Sequence, residues 1–244
     1  MAENQTDLLR GFFDRQQETN EYSELKAATE KLDAAAAERV NGAVDGDVLS
    51  VGGVWDFFDW GRAVDSVTVL DLSMEMLNSY CPSGAKRVQG DLYEVDFPAA
   101  SFDTIVFPLM LHHTPHGNWR ACQARVAEAL DRASSWLRPG GQVIIVEYCP
   151  QRFWWLAQRA LFPVTKRFLA AFGQPLVVMY SRHFYECQLA DRFGSVAGER
   201  IRPQGFKYWT WYPVFMSISW FRMPLALYPK LHVFRARLKS THAD

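Results

Sequence analysis

The chain has 244 residues, 49% hydrophobic and 22% charged, and its 26 Lys and Arg against 27 Asp and Glu leave a net charge of -1. This composition excludes a disordered or fibrous polypeptide and leaves room for one large domain with an ample core. It shows no basic excess of the kind that marks a nucleic-acid binder, so nucleic acid is not an expected partner.

In chain order, the first periodic stretch is residues 21–41, where Tyr22, Leu25, Leu32, Ala36 and Val40 lie near one helical stripe and Asn41-Gly42 supply the stop. After the turn Asp45-Gly46-Asp47, Val48 to Gly52 reads as a short buried strand, and residues 54–63 as a brief helix. Val67 to Leu70 is a second strand ending at Asp71, and Ser73 is placed to cap a helix over Met74 to Tyr80. Arg87 to Gln89 makes a third, short strand closed by Gly90-Asp91, and Thr104 to Leu109 a fourth. Trp119, Cys122, Val126, Ala129, Ala133 and Trp136 then recur at helical spacing until Arg138-Pro139-Gly140-Gly141 breaks the pattern, and Gln142 to Glu147 is a fifth strand. Strand and helix alternating at this spacing predict parallel βαβ units covered on both faces. Past residue 150 the spacing predicts helices over 151–172 and 182–193 and strands over 195–203 and Leu231 to Leu238, with an unusually apolar connection from Phe206 to Pro229.

Ligands of open parallel sheets sit beyond the carboxyl ends of the strands. Four such ends carry suitable residues. Gly52-Gly53 allows close backbone approach, Asp71 suits a pair of ribose hydroxyls, Asp91 suits an exocyclic amine, and the loop from Leu109 to Pro115 faces the reacting end.

Val48-Leu49-Ser50-Val51-Gly52-Gly53, Val69 to Leu77, Gly90-Asp91 to Phe97-Pro98, Ser101 to Ile105, Leu111-His112-His113 and Leu137 to Gly141 together resemble the successive motifs of class I S-adenosylmethionine-dependent methyltransferases, over roughly residues 44–149. The small-molecule group that includes the ubiquinone and menaquinone C-methyltransferases is the most similar. The resemblance implies a doubly wound, mostly parallel seven-stranded sheet, with residues 1–43 as an N-terminal helical cap. Residues 44–244 would form the methyltransferase-like domain, carrying lid or interface insertions at 151–194 and 206–229. It implies S-adenosyl-L-methionine as cofactor, with the Gly52-Gly53 turn at its methionine end, Asp71 at the ribose, Asp91 at the adenine amine, and Leu72, Leu92 and Pro108 as further cofactor-binding residues. Where the family has acidic-x-Gly-x-Gly-x-Gly, this chain has Ser50, Gly52, Val54 and Asp56. Two readings therefore stand side by side: methyl transfer to a small, largely apolar or aromatic acceptor, and a pseudo-methyltransferase acting as a binding partner or on a different reaction.

His113 is the candidate general base, because histidine titrates near neutral pH. His112, Tyr148, Tyr180, His183 and Trp209 are candidate substrate contacts, and Glu147 either touches substrate or caps the sheet. The aromatic run Phe206 to Phe215 reads as pocket lining, a homodimer interface, or a surface for peripheral membrane contact. Four scattered cysteines make neither a metal motif nor a disulfide framework, so no metal is expected. The polar start MAENQTDLLR is unlike a signal peptide, and there is no apolar run of transmembrane length, so the expectation is a cytoplasmic protein.

Overall fold

The computed structural model describes residues 6–11, 21–52, 63–172, 174–209, 211–215 and 218–239. Gly53, Val54 and Asp56, and most of the brief helix expected over 54–63, lie outside them.

The strands β1 (Gly46–Val51), β2 (Val64–Asp71), β3 (Lys86–Gln89), β4 (Phe102–Pro108), β5 (Leu137–Cys149), β6 (Ser195–Arg200) and β9 (Lys230–Arg237) form one sheet in the order β3-β2-β1-β4-β5-β9-β6. All neighbouring pairs from β3 to β5 are parallel, and β9 runs antiparallel to both β5 and β6. Strand order reverses between β1 and β4, which puts the ligand crevice of a doubly wound sheet at their carboxyl ends.

The centre of the sheet is buried on both faces because β1, β4 and β5 carry near-continuous apolar runs. Leu49, Val51, Ile105, Phe107, Val143 and Ile145 face one layer, and Val48, Val106, Ile144 and Val146 the other. The first layer is completed by helices α3 (Trp119–Trp136), α4 (Arg152–Ala171) and α5 (Arg182–Arg192), through Val126, Leu130 and Trp136, Phe162 and Leu169, and Tyr185 and Leu189. Helix α1 (Glu21–Asn41) covers the second with Leu32, Ala36, Ala37 and Val40. Each aliphatic side chain so buried contributes about 1.5–3 kcal/mol relative to exposure. Ser73 caps helix α2 (Met74–Tyr80), accepting the Met76 N–H at 3.1 Å, and Asn118 caps α3 through the Ala121 N–H at 3.0 Å.

Two regions differ from the sequence expectation. Strand β5 begins at Leu137, which pairs with Phe102, rather than at Gln142, because Arg138 to Gly141 bulges out of the ladder instead of ending it. Gly141 makes the bulge possible: a Cβ there would lie 2.9 Å from the carbonyl oxygens of both Arg138 and Asp103. The apolar connection from Phe206 to Pro229 contains a separate hairpin, β7 (Trp211–Phe215) with β8 (Ile218–Pro224).

Candidate active site

At the end of β1, Gly52 adopts φ +84°, open to glycine at no cost, and donates its N–H to Leu70 O at 2.8 Å. Its bare α-carbon is also required sterically, since a Cβ would lie 2.3 Å from Met110 Cγ. Met110 is held there by Leu109, whose own positive φ of 54° turns the chain sharply as β4 ends.

The next two strand ends are tied together. Gly90 donates its N–H to Asp71 O at 2.9 Å, and Gln89 Nε2 reaches Leu72 O at 3.4 Å. Asp71 is half-buried and its Oδ1 accepts the Ser73 N–H at 2.7 Å, which fixes the carboxylate at the start of α2. Asp91 is also half-buried. Its Oδ1 accepts the Tyr93 N–H at 2.9 Å, while its carbonyl accepts from Glu94 and Val95. Leu92 is buried in the core and Pro108 is buried at the end of β4, so these two offer the crevice only backbone.

The loop after β4 forms a 3-10 turn, Leu111–His113, and here the geometry separates the two histidines. His112 Nδ1 lies 2.7 Å from Glu147 Oε2, and the His112 N–H donates to Glu147 Oε1 at 3.3 Å. Glu147 is fully buried at the end of β5, so its carboxylate needs this partner. A carboxylate only accepts hydrogen bonds, so it holds Nδ1 as the donor and leaves Nε2 as the basic nitrogen. The turn is also pinned from outside, where Val178 donates to His112 O at 3.0 Å. His113, the sequence's choice as base, is half-buried with its Nδ1 shielded from solvent, and burial together with neighbouring His112 holds its pKa well below the usual histidine range. Its ring is therefore a poor proton acceptor. The carboxylate-oriented histidine is His112.

Behind the turn stands a wall of rings. Trp119 lies 6.3 Å from Tyr180, whose ring stacks on Phe184 at 4.6 Å and meets Tyr185 at 5.9 Å. Among the described residues the Tyr180 and Tyr185 hydroxyls and the Trp155 N–H are buried without a hydrogen-bond partner. Burial pushes both tyrosine pKa values up, so both hydroxyls stay protonated donors.

Three sequence candidates do not join this cluster. Tyr148 follows Glu147 on the strand and so faces the opposite side of the sheet, packing with the α1 layer and edge-on to Tyr228 at 5.8 Å. His183 is exposed on α5, with Cys187 Sγ 3.5 Å from its Nε2. Trp209 is 75% exposed. Tyr180 does stand near the His112 turn. The residue that sequence reasoning left undecided was Glu147. The available signal was a carboxylate ending an otherwise apolar strand, which cannot be buried unpaired. Among the described residues no His, Cys, Asp and Glu group could hold a metal ion.

Residues 49–145 match the model of the methyltransferase domain family. No curated protein matches the sequence. Several solved structures share the fold. DhpI in its complex with SAH superposes with a TM-score of 0.60 at 18% identity, covering 97% of both chains. The Burkholderia thailandensis 1,6-didemethyltoxoflavin-N1-methyltransferase, with bound 1,6-didemethyltoxoflavin and S-adenosylhomocysteine, gives a TM-score of 0.56 at 16% identity over 96% of this chain and 88% of the other. A SAM-dependent methyltransferase from Thermotoga maritima gives 0.58 at 13% identity over 90% and 96%. At such identities the likeness is one of fold.

Proposed function

We propose that this chain, whose residues 49–145 match the methyltransferase domain family, transfers the methyl group of S-adenosylmethionine to a small, largely apolar or aromatic acceptor bearing a dissociable proton. The observation that carries this reading is the convergence of Gly52, Asp71, Asp91 and a carboxylate-held histidine at adjoining strand ends.

These residues fit the cofactor. Asp71 and Asp91 are half-buried acceptors already oriented by backbone N–H groups, suited to ribose hydroxyls and to the adenine amine, while Gly52 keeps the β1 exit free of a side chain. Bound S-adenosylmethionine supplies a methyl already activated on sulfonium, so the protein's task is to align the acceptor and exclude water. His112 Nε2 takes the acceptor's proton, with Glu147 stabilising the imidazolium that results. The unpartnered hydroxyls of Tyr180 and Tyr185 and the Trp155 N–H support an acceptor that is aromatic in body and carries polar atoms at its edge. Two solved structures of the same fold, DhpI and the 1,6-didemethyltoxoflavin-N1-methyltransferase, hold S-adenosylhomocysteine and so support the cofactor assignment.

Calorimetric titration with S-adenosylhomocysteine tests the proposal. We expect saturable one-to-one binding, weakened by about 1.5–3 kcal/mol in Asp71→Ala, or roughly 10- to 150-fold. A folded wild type that gives no binding heat overturns methyl transfer and favours a non-catalytic role.

A further inference from the structure

We propose that the outward face of helix α4, together with the β7–β8 hairpin, docks on an anionic lipid bilayer.

Helix α4 is apolar on two opposite sides. Its inner face packs Trp155, Phe162 and Leu169 against the body of the protein. Phe153, Leu161, Val164, Phe168 and Phe172 recur three or four residues apart, or at multiples of that spacing, and form a second stripe turned to solvent. Val164 and Phe172 are each 65% exposed. A helix that needed only to cover the sheet would carry polar residues there. Between the two faces run Arg152, Arg159 and Arg167, all exposed, and helix α4 contains no Asp or Glu.

The hairpin continues this surface. Trp154 Nε1 donates to Leu227 O at 3.1 Å, and Gln151 Nε2 to Tyr228 O at 3.3 Å, which ties the start of α4 to the turn after β8. From that turn the contacts run on to Tyr208, whose carbonyl accepts from Ala226, and to Trp211, which pairs with Pro224. Trp209 and Trp211 are among the most exposed large side chains described. From Arg200 to Lys239 the sequence again holds no acidic residue. The near-neutral total of -1 thus conceals a segregation, with two acid-free segments that touch where the turn at Leu227 and Tyr228 meets the start of α4.

Charge decides the occupant. In a two-fold dimer each patch would face its own copy, bringing the arginines of α4 against the same arginines with no acid on the helix to offset them. A bilayer with anionic headgroups satisfies both features at once, taking the aromatic and aliphatic stripe into its interface and the flanking cations onto its surface. No helix among the described residues is long and apolar enough to cross a membrane, so the contact lies in the interfacial plane. The same helix grips the site from its inner side, where Gln158 exchanges two hydrogen bonds with the Met179 backbone, at 2.9 and 3.1 Å, next to the residue that pins the His112 turn. The proposal does not depend on methyl transfer, since it rests on surface chemistry alone.

The test is co-sedimentation of the full chain with phosphatidylglycerol–phosphatidylcholine vesicles and with pure phosphatidylcholine vesicles. We expect partitioning onto the anionic vesicles that falls as salt rises. Charge reversal in the triple variant Arg152→Glu, Arg159→Glu, Arg167→Glu should lower it about a hundredfold or more, at roughly fivefold per cation removed. Val164→Glu with Phe168→Glu should lower it as well, in proteins whose circular dichroism and melting match the wild type. Two results overturn the proposal: wild type that stays with the supernatant, and variants that partition as the wild type does. A stable dimer in sedimentation velocity, dissociated by Val164→Glu and indifferent to vesicles, would assign the face to a second copy instead.

Discussion

Glu147→Gln probes the centre of the site without needing the acceptor. In the wild type both carboxylate oxygens serve one residue, Oε2 at the His112 ring and Oε1 at the His112 N–H. Glutamine keeps the shape but has one acceptor oxygen and one NH2 donor. If its oxygen takes Nδ1–H, its NH2 confronts the His112 N–H; turned round, it confronts the ring and forces the proton onto Nε2. The first arrangement loses one buried bond, and the second keeps both but replaces a charged acceptor with a neutral amide, so the cost is at most about 1.5–3 kcal/mol. For a domain of this size that lowers the melting temperature by at most about 3–12 °C. The direct readout is nitrogen-15 NMR of labelled histidine. Wild-type His112 should be protonated at Nδ1 with Nε2 bare, and the variant should show a tautomer mixture or the reverse. Once an acceptor is known, the variant should lose about 10²- to 10⁴-fold in turnover while S-adenosylhomocysteine affinity holds. A Glu147→Gln protein that melts with the wild type and keeps its tautomer would refute the assignment of His112 as the oriented base.

Gly52→Ala should cost about 1–2 kcal/mol for the left-handed backbone alone, with a further loss from the contact at Met110. Adding Met110→Gly, which removes both the Cγ at 2.3 Å and the Cβ at 2.6 Å, should recover only the contact part, and urea denaturation of the two variants measures the split. Acid should destabilise the fold through His113 and His232, whose folded-state pKa values burial holds down. The sign follows from linkage: the unfolded chain takes up protons below about pH 6.5 and the folded one does not, so stability is full above that value and falls as pH drops. Each such ring adds a slope of about 1.4 kcal/mol per pH unit. His113→Asn should flatten the urea-midpoint curve between pH 7 and 5, and a wild-type curve already flat there would contradict the shielding of that ring.

The sheet was legible because its central strands carry apolar runs and its helices begin at recognisable caps. Val143 to Val146 can only be a strand buried on both faces, and Ser73 marks the start of α2 to the residue. Three features escaped for separate physical reasons. Pro139-Gly140-Gly141 is a breaker by composition, but the ladder resumes across it once Leu137 finds Phe102, a pairing that depends on tertiary contact. The choice between His112 and His113 turns on Glu147, thirty-five positions away, which local pattern does not reach. Tyr148 was within reach of sequence reasoning, since a residue following Glu147 on a strand must face the other way. His183 and Trp209 carry residue types suited to sites, yet no spacing tied them to the strand ends, and the fold leaves both on the surface.

The position of β9 bears on the order in which the molecule can be assembled. This strand follows the other six of the sheet in sequence, yet it lies inside the sheet, with β5 on one side and β6 on the other. As the chain leaves the ribosome, β1 to β5 can pair and bury their layers. Strand β6 has no neighbour until residues 230–237 emerge, and until then β5 presents an open, strongly apolar edge. The acid-free, aromatic-rich stretch from Arg200 onward is synthesised within that interval. The nascent polypeptide is therefore at its most adhesive just before residues 230–237 emerge, and chaperone occupancy during translation should concentrate there.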